Sequence, residues 1–274
     1  MLHAAQAALA NRQLTLRQVH ALAESSFKST LDVSFAEVAV SEAELDLYRA
    51  ENAFAAGEAA FNAALGDEHE AKFELADEPL PAPLDAGPEG LVERAMNHRP
   101  DLAALSLNHD AALRFASAEK RLSYPTISAL GSAGEVPQRV PAFRGSYGAA
   151  GLNVTIPVLN GGLFHARRTE AEWKAKAAGE DTRELAVQIA RDVRIAWLEA
   201  STAFRRLDVT ARLVAEADRA LRLAQLRYEN GLGSIVELNQ AQLSQTSAQI
   251  AAASAKYEYL GRRAALDYAT GDLP

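Results

Sequence analysis

The sequence predicts a mainly α protein, made of long antiparallel coiled-coil helical hairpins with one β-hairpin. Two long blocks of chain carry apolar or small residues at alternating spacings of three and four, which is typical of helices that pack along a seam. The same blocks, residues 1–78 and 158–273, contain no proline, and proline disrupts helix interiors. Between them, a segment rich in glycine and proline shows the alternating polarity of β-strands.

The composition favours closely packed helices and excludes several classes of chemistry. About a fifth of the 274 residues are alanine, and only 7% are aromatic, whereas an ordinary α/β enzyme core needs more large side chains. Without cysteine the chain has no disulfide, thiolate metal site or cysteine nucleophile. Its net charge of −8 argues against nonspecific binding to nucleic acid. No segment reaches the roughly 20 apolar residues of a membrane-spanning helix, and residues 1–18 lack the pattern of a signal peptide.

The first block, residues 1–66, predicts a helical hairpin that recurs later in the chain. Its heptad series matches a later series, position for position, after a shift of 205 residues without a gap. Matches at the turn and at the closing glycine favour an internal duplication over chance similarity between coiled coils. The matching flanks pair Phe27 with Leu232, Leu31 with Val236, Asp32 with Glu237 and Gly66 with Gly271. We interpret this block as a partial first repeat with a shortened upstream helix.

A proline-rich linker over residues 67–90 is predicted to separate the repeats, because it holds four of the ten prolines. The second repeat is expected to span residues 91–274 and to open with a helix over 91–123. The sequence His98-Arg99-Pro100-Asp101 interrupts this helix, and we expect Asp101 to cap its longer second part.

Residues 124–158 predict the β-hairpin. Leu152, Val154 and Ile156 fall on one face of the second strand. Each strand is about 9–11 residues long with its ends, the length that spans a bilayer when tilted. Two interpretations stay open: part of a membrane barrel closed between chains, or a small hairpin on a soluble helical protein. An isolated hairpin is marginal in water, so its edges need a partner.

The last block predicts one long helix over residues 162–228, a tip turn at 229–234 and a return helix over 235–270. The long helix would measure roughly 100 Å at about 1.5 Å per residue, more than a compact domain needs. Asn160 is a candidate for its N-cap.

Glycines mark the tip turn of the second repeat. Gly231 and Gly233 allow the chain to reverse direction. The first repeat has Ser26 and Lys28 at the matching positions, so we expect its turn to differ.

The sequence offers no enzyme site. It contains no Ser/His/Asp arrangement, no acid/base pair and no histidine–carboxylate spacing of a metal site. We therefore predict no catalytic residue, no cofactor and no metal. The basic residues His165, Arg167 and Arg168 have two interpretations, a solvated helix start or a contact with lipid head groups.

Short motifs at the element boundaries resemble those of the TolC family of outer-membrane channel proteins. Each motif is weak alone, but their order and spacing are specific, and together they cover essentially the whole chain. They are Arg99-Pro100-Asp101-Leu102, Tyr124-Pro125, Pro157-Val158-Leu159-Asn160-Gly161-Gly162, Arg227-Tyr228-Glu229-Asn230-Gly231, Leu238-Asn239-Gln240-Ala241-Gln242-Leu243 and Tyr268-Ala269-Thr270-Gly271.

The resemblance implies a homotrimeric channel in the cell outer membrane with a helical tunnel across the periplasm. Each full-length subunit has two repeats and two β-hairpins, and three subunits close a twelve-stranded barrel among outer-membrane lipid. A periplasmic adaptor joins the tunnel to an inner-membrane pump, in a tripartite efflux pump or a type I secretion system. With one hairpin, this chain is an incomplete, N-terminally truncated α-barrel/β-barrel protomer by comparison. The alternative, from another class, is a soluble coiled-coil interaction or scaffold protein.

The resemblance also implies two sets of residues at the periplasmic end of the tunnel. Adaptor contacts are expected at Tyr228, Gly231, Gly233 and Ser234. The candidates for the aperture are Asp32, Glu237 and Gln240. A ring of carboxylates there would select cations and respond to pH. The alternative is that both acids are solvated residues in the first turn of a helix, stabilised by the helix dipole.

Overall fold

The computed structural model describes residues 1–25, 27–66, 73, 76, 79–81, 83–84, 87–135 and 146–273. The predicted mainly helical fold with one β-hairpin is confirmed. None of the helices in this part of the chain is long and apolar enough to cross a membrane. The elements are α1 (Leu2–Glu24), α2 (Thr30–Leu65), α3 (Glu89–His98), α4 (Pro100–Arg121), β1 (Thr126–Glu135), β2 (Ser146–Thr155), α5 (Leu163–Glu229) and α6 (Ile235–Thr270).

The chain divides into two compact units. The first unit comprises Met1–Pro88 and Ile195–Tyr268, and the second comprises Glu89–Arg194 and Ala269–Pro274. Both α5 and α6 therefore contribute to each unit. Most of the predicted linker lies outside the described residues, and α3 begins two residues before the helix predicted from residue 91.

The helix boundaries recur after the same shift of 205 positions. Helices α2 and α6 each have 36 residues, and α6 begins and ends 205 positions after α2. The ends of α1 and α5 are separated by the same number of positions. Equivalent glycines, Gly66 and Gly271, follow α2 and α6 with φ of 71° and 79°, the left-handed conformation that commonly closes a helix. These matches support the repeat inferred from the sequence.

The hydrophobic core of the first unit is built from equivalent positions of the two repeats. Its residues come from the ends of α1 and α5 and the starts of α2 and α6. Four repeat-equivalent pairs meet there: Leu16 with Leu221, Val19 with Ala224, Val33 with Leu238, and Ala36 with Ala241. The alanines let the helices approach closely, as their heptad positions predict.

The heptad prediction holds for most positions of α6, although the predicted seam residue Arg262 is exposed, and it holds only in part for α2. In α6, Ala248, Ala255, Tyr259 and Leu266 are all buried. In the second half of α2 the equivalent positions are open, with Phe54 47% exposed. The reason is length: α1 has 23 residues against 36 in α2, so α1 covers only the first part of its partner.

The Arg99-Pro100-Asp101 sequence breaks the α3–α4 segment and joins it to the end of α6, within the second unit. The prediction that Asp101 caps α4 is wrong, because Arg99 is the N-cap and Pro100 occupies the first helical position, where its missing N–H has no cost. Asp101 instead accepts hydrogen bonds from Arg99 Nε at 3.1 Å and from the Leu102 N–H at 2.9 Å. Arg99 Nη1 donates to the Ala269 carbonyl at 3.4 Å.

Helix α5 begins one residue later than predicted. The Leu163 N–H donates to the backbone carbonyl of Asn160 at 3.1 Å. Asn160 thus takes part through its main chain, and the described bonds do not include the predicted side-chain cap. The helix has 67 residues, about 100 Å at 1.5 Å per residue.

Candidate functional site

The tip turn of the second repeat follows α5 directly. The Leu232 and Gly233 N–H groups both donate to the Arg227 carbonyl, at 2.8 and 3.0 Å, and these bonds satisfy orphan groups of the helix end. Gly231 has a φ of 71°, which favours glycine. A Cβ atom on Gly233 would lie 3.2 Å from Arg227 Cβ, a tight contact that a larger residue could occupy only if its neighbours shift slightly.

The turn of the first repeat shares two backbone hydrogen bonds with the turn of the second. The Phe27 N–H donates to the Leu22 carbonyl at 2.9 Å, which is the counterpart of the bond from Leu232. The Ser25 N–H donates to the Ala21 carbonyl, as Asn230 does to Leu226 in the second turn. The prediction that the two turns differ is therefore wrong for these bonds. Ser26 lies outside the described residues.

Lys28 connects the two turns. It occupies the position equivalent to Gly233, and its Nζ donates to the Tyr228 carbonyl at 3.1 Å. The same ammonium lies 3.9 Å from the centroid of the Tyr228 ring, a cation–π geometry. Lys28 therefore caps the end of α5 from the other repeat, where a cation is favoured by the helix dipole. Sequence reasoning missed this role, and the only signal was a charge at a turn position that is glycine in the other repeat.

Tyr228 lies inside the core of the first unit rather than on its surface. Its side chain is only 4% exposed, and its buried hydroxyl has no hydrogen-bond partner among the described residues. Burial, and then the negative charge of Asp32, raise the pKa of Tyr228 to about 12. Of the residues expected to contact an adaptor, Gly231 and Ser234 are exposed and Gly233 is half-buried.

The two acidic aperture candidates occupy the first turns of α2 and α6. Asp32 Oδ2 accepts a hydrogen bond from the Ser29 N–H at 3.2 Å, within a capping box. Glu237 Oε1 accepts from Arg227 Nε at 3.0 Å. Gln240 is exposed. Both acids thus have local bonds of the kind that the first-turn interpretation expects, and the charged ring stays a proposal.

The β-hairpin has one apolar and one polar face. Ile127 pairs with Val154 and Ala129 with Leu152, so these side chains share a face. The opposite face carries mostly small and polar residues: Thr126, Ser128, Leu130, Ser132, Gly134, Tyr147, Ala149, Gly151, Asn153 and Thr155. Both strands have 10 residues, and the apolar side chains are open, with Leu152 79% exposed.

The basic residues after the hairpin are mostly engaged within the chain. Arg167 Nη2 donates to the buried Glu119 carboxylate at 2.9 Å. Arg168 Nε donates to Glu172 at 2.7 Å within the same helix. Two of the three side chains considered for lipid contact therefore have acidic partners. The described residues contain no group of three side chains suited to hold a metal ion.

A sequence profile of the family described as outer membrane efflux protein matches residues 91–272, more than half of the chain. The chain belongs to the outer membrane efflux protein family. The description of this family names outer-membrane efflux proteins. The prediction of the TolC family is confirmed.

Individual proteins of known sequence or structure are similar to this member of the family. Outer membrane protein TolC of Salmonella enteritidis is 24% identical over 123 residues, 45% of this chain and 25% of TolC. The crystal structure of VceC from Vibrio cholerae aligns with 98% of this chain and 65% of its own, at a TM-score of 0.81 and 21% identity. The crystal structure of CusC aligns with 98% of this chain and 64% of its own, at a TM-score of 0.82 and 18% identity.

The similarity to the solved structures establishes the fold of the chain. The chain spans a quarter of the length of TolC and just under two thirds of the lengths of VceC and CusC.

Proposed function

We propose that this chain is part of a subunit of a passive outer-membrane channel that conducts substrates across the periplasm and outer membrane. The single observation that carries the proposal is an exposed amphipathic β-hairpin connected to a 67-residue helix. A strand of 10 residues has the length that spans a bilayer when tilted. The driving energy comes from a partner pump in a tripartite efflux or type I secretion system.

The apolar face of the hairpin supports the membrane location. Ile127 is 73% exposed and lies beside Val154 and Leu152. In water such a face is a liability, whereas lipid contact removes it from solvent. The alternation with small and polar residues on the other face matches a strand with lipid outside and water inside.

Channel assembly requires more strands than one hairpin per subunit. Both outer edges of the sheet are free in the described chain, where β1 pairs only with β2. Unpaired backbone groups in lipid are costly, so a spanning sheet must close. We propose that the functional protomer has a further hairpin and that three protomers complete the barrel.

The tip is proposed as the periplasmic end of the channel. Gly231 and Ser234 are exposed there, which suits contact with an adaptor protein, and Gly233 holds the turn compact. Tyr228 would act from within, by supporting the turn. Asp32, Glu237 and Gln240 are proposed to line the aperture, where like charges from three subunits would attract cations.

Membrane fractionation tests the proposed function. The protein as encoded by its gene is expected in the outer-membrane fraction and to require detergent for extraction. Release by salt or alkali alone would favour the soluble coiled-coil alternative.

Conductance in planar bilayers tests the aperture separately. Glu237→Gln is expected to weaken block of the conductance by a multivalent cation, because it removes one charge per subunit. The control is Glu216→Gln, which removes an exposed carboxylate paired with Arg219 on α5. Equal cation block in both variants would contradict the proposed aperture role but not the channel itself.

A further inference from the structure

A cavity of about 460 Å³ lies in the first unit between α1, α5 and α6. Arg12 and Thr15 on α1, Tyr228 on α5, and Gln242 on α6 contribute to its wall. Cavities of a few hundred Å³ with a small number of fixed polar groups are typical of small-ligand sites. Of the tip and aperture residues discussed above, Tyr228 lines this cavity.

Arg12 is a half-buried cation whose hydrogen-bond partners are all neutral. Its Nη1 donates to Asn239 Oδ1 at 3.1 Å and also to Gln242 Oε1, and its Nη2 donates to the Asn239 carbonyl at 3.4 Å. Burial lowers the pKa of Arg12, and the negative charge of Glu42 offsets this only in part. A guanidinium has five N–H donors, so donors remain for a further acceptor.

The neutral partners are themselves held in place. Gln242 is only 5% exposed, and its Nε2 donates to Thr15 Oγ1 at 2.9 Å. The Thr15 hydroxyl in turn donates to the Asn11 carbonyl at 3.1 Å. These bonds fix the amide of Gln242 with its oxygen toward Arg12. The guanidinium is therefore positioned before any ligand arrives, which lowers the entropic cost of binding.

The hydroxyl of Tyr228 is a second hydrogen-bond donor in the same cavity. Tyr228 lines it, and its buried hydroxyl has no partner among the described residues. Leu238, which also lines the cavity, packs in the same cluster as Tyr228 and immediately precedes Asn239, a partner of Arg12. Leu238 therefore connects, along the chain, the cluster that contains Tyr228 with a residue that accepts from Arg12.

We propose that this cavity binds a small organic carboxylate. The carboxylate would accept hydrogen bonds from Arg12, and an apolar body would contact Leu221 and Leu238. The other charged groups on the wall are Asp218, Arg222 and Glu229, and Gln245 Nε2 donates to Asp218 at 2.9 Å. With Arg12, the wall therefore carries two bases and two acids, so its formal charge is close to zero and a single negative charge on the ligand is favoured over a phosphate dianion. The proposal is independent of the channel function.

The test is fluorine NMR of 4-fluorobenzoate with the whole chain. Binding is expected in the millimolar range or tighter, and Arg12→Gln is expected to weaken it about tenfold, which corresponds to the loss of a charge-assisted bond. Arg12→Lys, which keeps the charge without the forked donors, should bind with intermediate affinity. Arg219→Gln is the matched control, because Arg219 is exposed and pairs with Glu216 within α5.

Three results would overturn the proposal. The first is no binding of 4-fluorobenzoate at about 10 mM, well above a millimolar Kd. The second is equal affinity for neutral 4-fluorobenzamide, which would show that charge is not recognised. The third is equal affinity of the Arg12→Gln, Arg12→Lys and Arg219→Gln variants, with circular dichroism confirming that all three retain their helices.

Discussion

Replacing Lys28 with methionine is expected to loosen the tip of the first unit. The ammonium of Lys28 lies 3.9 Å from the Tyr228 ring centroid and donates to the Tyr228 carbonyl at 3.1 Å. A cation–π contact is worth about 0.5–1 kcal/mol at an exposed site, and a cation at a helix C-terminus contributes about 0.3–1 kcal/mol. Lys28→Met should therefore cost about 1–2 kcal/mol of local stability.

Native-state hydrogen exchange measures this local loss. The Leu232 amide, which donates to the Arg227 carbonyl at 2.8 Å, closes the turn beside Tyr228. About 1–2 kcal/mol corresponds to roughly a 5–30-fold faster exchange of that amide. Lys176→Met is the control, because Lys176 lies 4.9 Å from the Trp173 ring on the same helix and its loss should leave Leu232 unchanged. Unchanged protection of the Leu232 amide in Lys28→Met would refute a stabilising contact between Lys28 and Tyr228.

Three further predictions concern ionisation and helix ends. Spectrophotometric titration should show a tyrosine ionising near pH 12, and this late step should vanish in Tyr228→Phe. Because folding raises the pKa of Tyr228, the stability that its neutral hydroxyl contributes is present below about pH 10 and is lost as pH rises toward 12. A hydrogen bond from Thr270 is the main cause that lowers the pKa of Asp272, so Asp272→Asn should reduce urea stability at neutral pH by more than it does below the folded-state pKa. Gly271→Ala should destabilise more than Gly66→Ala, because both have positive φ but only the former places a Cβ 3.2 Å from another side chain.

Controls and contrary results distinguish these effects from general damage. Tyr48→Phe removes a tyrosine that is 63% exposed and should leave the late titration step in place. The stability that the Asp272 carboxylate contributes should be fully present above its unfolded-state pKa of about 3.9 and decline as pH falls through the lower folded-state pKa. A loss of stability in Asp272→Asn that does not depend on pH would contradict this prediction. Equal urea midpoints for the two glycine variants would argue against crowding at Gly271.

The sequence predicted the parts of this fold that depend on local periodicity. The heptads of α6 placed Ala255 and Tyr259 in the core, and both are fully buried. The shift of 205 residues predicted the equivalence of α2 and α6, because an internal repeat preserves element boundaries as well as spacing. The alternation around Leu152 predicted the faces of the hairpin.

Contacts between the repeats were not predictable in this way. Lys28 reaches Tyr228 across 200 positions, and Arg12 reaches Gln242 across 230, so both depend on how two hairpins pack. The heptad pattern also overestimated the burial of Phe54, because it does not report the length of the neighbouring helix. The prediction of Asp101 as the N-cap failed because an acidic residue near a helix start resembles a cap. Pro100, which precedes Asp101, fixes the start of α4 instead.

The most direct test of the proposed channel is the environment of the two faces of the β-hairpin. The sequence has no cysteine, so Leu152→Cys and Asn153→Cys each provide a single labelling site on opposite faces in the protein as encoded by its gene. A polarity-sensitive probe at residue 152 is expected to be quenched by lipid-bound quenchers, and one at residue 153 by a water-soluble quencher. Access of the water-soluble quencher to both positions alike, with no quenching by lipid, would contradict a membrane-spanning hairpin.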